Sequence, residues 1–169
     1  MPSRKPNHAD ADLVLKLYDL RREPVMRESR QAMLRWMPKS FDDVRAVMDF
    51  AHPDNAAYRQ VSSFFEYSFS FAHHGIVPAD FLAEFSGEGL LLFAKIEPFL
   101  GELRAATAPT AFGHAEWLTK NSKWAKARMK LFRARIAAAR DGDGAAKPAA
   151  QPKVQGPKPK KRGRKGRGK

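Results

Sequence analysis

A few side chains in this sequence have the right chemistry for catalysis or ligand binding, and their spacing decides how far each goes. Glu66 sits between Phe65 and Tyr67 in the most aromatic stretch of the chain. An unpaired carboxylate there would be costly, so it either takes up a proton or finds a cation. On a helix it lies two turns from His73 on nearly the same side, which is the whole geometric case for an acid–base pair. The structural alternative is stronger, because buried charges are normally paired and Arg30, Arg35 and Arg104 are the partners on offer. His73 and His74 are adjacent, so a helix points them roughly 100° apart and away from a shared metal. His8, His52 and His114 have no ligand spacing with any acid. Ser62, Ser63, Ser68 and Ser70 lack a glycine elbow or a base at a recognisable spacing. Gly87-Glu88-Gly89 lacks the further glycine and lysine of a phosphate-binding loop. No catalytic residue, cofactor site or metal site emerges, and enzymatic activity is not expected.

The cations form a clearer pattern. The net charge is +13, yet residues 147–169 hold ten Lys or Arg and no acid, which leaves +3 for everything before them. A large field of one sign implies an anionic partner and says nothing about fold. Between Trp117 and Arg140 there are eight Lys or Arg and no acid. On a helix, Lys123, Lys126, Lys130 and Arg133 make one stripe, and Trp117, Trp124, Arg128 and Arg135 gather on another side. An apolar seam from Leu118 to Ile136 runs between them. Such a helix suits a phosphate backbone, or equally its tryptophans pack on the domain and leave a solvated basic face. In the tail, Lys158, Lys160, Lys161, Arg162, Arg164, Lys165, Arg167 and Lys169 continue the same chemistry. Arg162-Gly163-Arg164 resembles the minor-groove hook of chromatin-type proteins, but Lys165 stands where that hook has proline. The expectation is therefore nonspecific contact with DNA or RNA. A protein-interaction module with an ancillary tail is the alternative.

The elements that must position these residues read as helices. Asp10 and Asp12 favour a helix start, with Leu13, Leu17 and Leu20 inward and Val14 and Tyr18 alongside. Pro24 kinks that helix or begins a second one. In the second segment Met26, Met33 and Met37 lie near one face, and Pro38 closes it. Ser40 followed by Asp43 is the signature of a capping box for a short helix through about Phe50, with Val44, Val47 and Met48 inward.

Residues 65–71 alternate apolar and polar, which suits a half-buried strand as well as a helix. The ends favour the helix. Pro53-Asp54-Asn55 supplies start signals, and His73-His74-Gly75 reads as a stop with glycine free to take the left-handed cap. Pro78 then opens a second helix through about Phe85. Ser86-Gly87-Glu88-Gly89 interrupts the pattern, and Pro98 and Gly101 weaken the end of the next segment. Residues 105–113 read as a connector and 114–140 as one long last helix.

The organisation expected is a flexible start over residues 1–9, a single all-α bundle over 10–140 and a disordered polycationic tail over 141–169. The absence of cysteine removes disulfides and thiolate metal sites. The start has no apolar signal, and the apolar run at 90–94 is far too short to span a bilayer, so a soluble, cytoplasmic protein without a transmembrane segment is expected. The arginine-rich stretch from Arg30 to Trp36, Phe64-Phe65-Glu66 and Gly75-Ile76-Val77-Pro78 together resemble a bacterial all-helical domain family of unknown function, over about residues 25–104. The resemblance implies helices and no activity.

Overall fold

The computed structural model of the chain describes residues 4–141. The tail cations from Lys158 to Lys169, and the disorder expected of the tail, lie outside the described residues. Within them the order is α1 (His8–Arg22), α2 (Pro24–Arg35), α3 (Phe41–Met48), α4 (Asn55–His73), α5 (Ala79–Phe85) and α6 (Gly87–Ile96). A 3-10 turn (Glu97–Phe99) then leads to α7 (Leu100–Ala106), α8 (Gly113–Asn121) and α9 (Lys123–Asp141). No strand occurs among the described residues.

The Ser40–Asp43 start signal forms as read, whereas Asp54 stands at the N-cap of α4 without a side-chain cap bond, and at α1 the cap is Asn7, which the sequence reading did not single out. Asn7 accepts from the Asp10 amide while the Asp10 carboxylate accepts from the Asn7 amide, and Ser40 and Asp43 repeat the same box at α3. Pro24 opens α2, so the chain breaks there rather than kinks. Residues 8 and 9, expected in the start segment, belong to α1. Arg4 reaches both Asp10 oxygens at 2.5 and 2.7 Å and the Ile76 carbonyl at 2.8 Å. That hydrogen-bonded guanidinium holds the Asp10 carboxyl below its ordinary range.

α4 is the centre of the bundle and packs on α2, α3, α5, α6 and α8. The strand reading of residues 65–71 fails on one comparison: Phe65 and Phe69 are 3% and 1% exposed, whereas Tyr67, which a strand would place beside them, is 64% exposed. The helical set Val61, Phe65, Ser68 and Ala72 is buried. At its end, Gly75 has φ +72°, the Ile76 amide bonds the Phe71 carbonyl and the Gly75 amide bonds the Ala72 carbonyl. This is the Schellman pattern that only a residue free of a Cβ penalty enters easily. α6 crosses α4 at Gly89, where a Cβ would sit 2.3 Å from the Phe65 ring.

Four expectations need correction. On α1 Val14 and Leu17 are buried and Leu13 packs partly buried against the core, while Tyr18 and Leu20 are exposed, because α1 lies at the edge of the bundle and only a narrow strip of it meets α2. The connector is shorter than 105–113, since α7 continues to Ala106 once the 3-10 turn has absorbed Pro98. The expected helix at 114–140 is two helices, broken at Ser122, which is extended (φ −108°, ψ 132°). Lys95, which follows the apolar run at 90–94 and to which the sequence assigns no place in the core, is one of the most buried side chains, at 1% exposure. Its ammonium donates to the carbonyls of Met33, Leu34 and Trp36 at 2.8, 2.9 and 2.7 Å, closing the C-terminal end of α2. Burial nevertheless pushes its pKa down to about 8.

Candidate nucleic-acid interface

The candidate interface is the outward side of α9, and its position follows from what holds that helix to the body. Ala125, Met129, Phe132 and Ile136, with Leu118 of α8, are buried as the seam predicts. α9 packs on α5, α6 and α8. At its start the Ser122 hydroxyl donates to Asp80 Oδ1 at 2.7 Å, and the Lys123 amide donates to the same oxygen at 2.8 Å. Ser122 Oγ in turn accepts from the Ala125 amide, so Ser122 and Asp80 together cap α9. The hydroxyl bond, with the amides behind it, holds the Asp80 carboxyl below its ordinary range. The break at Ser122 is thus a capped joint whose second half comes from α5, 42 residues away.

Of the four stripe residues, Lys123, Lys126 and Lys130 are exposed and Arg133 is engaged elsewhere. Arg133 makes two bonds of 2.7 Å with Glu97, which raise its pKa further. Lys123 lies close enough to Asp80 to feel its charge. Arg140 donates to the Pro38 carbonyl at 2.7 Å and lies over the Phe99 ring at 5.4 Å, pinning the far end of α9. Among the described residues no acid pairs with Lys126, Arg128, Lys130 or Arg135. Trp124 is 46% exposed among these cations. Trp117 is not on that face, because the break puts it on α8, where it stacks on His73 with centroids 4.7 Å apart.

The other sequence candidates meet at the opposite end of α8. His73 and His114 share a hydrogen bond of 2.9 Å between their Nδ1 atoms, and His74 stacks on His73 at 5.3 Å. Desolvation, with the neighbouring His114 and His74, holds His73 below the ordinary imidazole pKa. Glu66 is not paired with Arg30, Arg35 or Arg104. Its carboxylate accepts from the amides of His114 and Ala115 at 3.2 and 2.8 Å, in effect capping α8. The reason is local: the residue preceding α8 is Phe112, held at φ 53°, whose side chain has no acceptor to offer. Arg30 is bound to Glu88 instead, and Arg104 to Glu116. Among the described residues no group of three or more His, Asp or Glu is arranged to hold a metal ion, and no helix is long and apolar enough to cross a membrane.

A family model matches residues 6–124, from the start of α1 through the Ser122 joint. The chain belongs to the family described as Domain of unknown function (DUF4760). The DUF4760 match extends beyond the motifs at 25–104 to include α1 and α8, and it leaves all but the first two residues of α9 outside. No curated protein and no solved structure matched the chain.

Proposed function

We propose that this is a non-enzymatic helical protein that contacts nucleic acid nonspecifically through the outer face of α9 and the cations of residues 147–169. The observation that carries the reading is an imbalance of partners. α9 carries seven Lys or Arg and no acid before Asp141; Arg133 alone of them is matched to a carboxylate, that of Glu97, whereas Lys126, Arg128, Lys130 and Arg135 stand together on the helix with none among the described residues. Unmatched cations on a rigid helix, followed in sequence by ten more, favour a polyanion. Lys123 and Lys130 are two turns apart, about 10 Å along the axis, so they would meet successive phosphates rather than one.

The test is a salt titration of duplex DNA and of structured RNA binding. Each neutralised duplex phosphate releases about 0.9 counterion. Removing residues 147–169 should therefore flatten the log–log slope by about four to five if half of those cations engage. Lys126→Ala with Lys130→Ala should flatten it by up to about two more. Unchanged affinity and slope in both variants would overturn the reading. Trp124 and Leu131, exposed on the same helix, would also serve a protein partner. Copurifying partners that survive nuclease and high salt would favour that second reading.

A further inference from the structure

Between α1, α4 and α5 lies a cavity of about 410 Å³ with an almost wholly apolar wall, a size and character found in small-molecule sites between helices. Leu17, Phe65 and Leu82 form its buried side, and Leu15, Tyr18 and Phe85 stand around it 61%, 50% and 49% exposed. Its two serines offer little, since Ser68 and Ser86 already donate to the Phe64 and Leu82 carbonyls at 2.7 and 2.8 Å. Arg21 is the one charged residue in the wall. Its Nη1 bonds the Phe85 carbonyl and its Nη2 bonds Glu88, each at 3.1 Å. Its Nε is buried and has no hydrogen-bond partner among the described residues, an unusual state for a charged donor. The carboxylate it shares is also gripped at both oxygens by Arg30. Two guanidinium groups thus face one carboxylate, and one positive charge is left over beside an apolar cavity.

We propose that this cavity binds a single-chain amphiphile with one negative charge, a fatty-acid-type carboxylate whose chain lies along the apolar wall and whose head group meets Arg21. A neutral hydrocarbon would leave the excess charge unanswered, and a dianion would exceed it. The inference is independent of the nucleic-acid reading, which concerns another face.

The experiment is calorimetric titration of the full chain with decanoate below its micellar range, alongside decanol and decyltrimethylammonium. Two variants probe the ends of the site. Arg21→Met removes the excess charge and leaves Glu88 bound by Arg30. Ala11→Phe fills the cavity from its half-exposed edge. Circular dichroism on each variant establishes that it is folded. The expected result is one decanoate per chain, weakened roughly fivefold or more by Arg21→Met, with decanol binding little changed by that variant. Ala11→Phe should abolish both. No decanoate binding, binding indifferent to Ala11→Phe, or equal binding of decanoate and the cationic amphiphile would each overturn the proposal. So would binding to phosphatidylglycerol vesicles without binding to free decanoate, which would place the chain on a lipid surface instead.

Discussion

Lys95→Met tests the least expected part of the core. The substitution keeps an unbranched chain of similar length and removes the ammonium that bonds Met33, Leu34 and Trp36. Three carbonyls at the end of α2 then lose their donor, one of them fully buried, at a cost of about 1–3 kcal/mol for a buried unsatisfied group. Relief of the buried charge offsets part of this, so a net loss of about 1–2 kcal/mol at pH 7 is expected. The pH dependence is the sharper readout. Lys95 titrates near 8 in the folded chain, against an ordinary lysine value of 10.5. Between those values the unfolded chain binds more protons than the folded one, so the Lys95 contribution to stability rises with pH. At about 1.4 kcal/mol per pH unit, the wild type should gain up to about 3 kcal/mol on the variant across that window. Below pH 8 the difference should be flat. Urea denaturation of both proteins from pH 6 to 10.5 measures it, and Tyr58, whose burial raises its pKa to about 12, titrates in both and cancels. A difference that shrinks with rising pH would refute the reasoning, because the three carbonyls would then outweigh burial and hold the ammonium above its ordinary pKa.

Glu66→Ala removes the acceptor for two amides at the start of α8 and should cost about 1–2 kcal/mol by chemical denaturation, with Glu66→Gln costing less. Asp80→Ala should cost a similar amount at neutral pH. Since the folded Asp80 pKa lies below 3.8, the stabilisation it gives is complete above that value and disappears as pH falls through the folded pKa, so wild type and variant should converge in acid. Gly89→Ala drives a methyl against Phe65 and should lower stability by about 1–3 kcal/mol, read as a drop in Tm. Arg133→Ala should leave the salt slope of nucleic-acid binding nearly unchanged, unlike Lys130→Ala, because Glu97 already occupies its guanidinium.

What was legible in the sequence was what repeats or punctuates. The Ser40–Asp43 capping box, the glycine stop after α4 and the seam of α9 are short-range patterns, and local chemistry sets them. What was not legible depends on partners far along the chain. Asn121-Ser122 is a local cap signal that the helical seam running through it masks, and Asp80, which completes the cap, lies 42 residues away. Glu66 looked like a carboxylate in want of an arginine because the amides of α8 are invisible until α8 is folded against α4. Lys95 carried a signal that was available, an ammonium closing the apolar run of α6, but its carbonyl acceptors lie about 60 residues earlier. On α9 the spacing rightly grouped Lys123, Lys126, Lys130 and Arg133 on the solvent side of the seam, but it could not tell that Arg133 is engaged by Glu97.

The way α9 is fastened also fixes how it would respond to force. Its attachments follow one another along its length: Arg140 at the end, then Ile136, Arg133 with Phe132, Met129 and Ala125, and finally the Asp80–Ser122 joint. A pull applied to the chain beyond Asp141 therefore loads these attachments in turn rather than together. Such peeling requires far less force than shearing the same contacts in parallel. The helix would come away one turn at a time from its C-terminal end, and the body behind the joint would feel the load only after the last turn had gone.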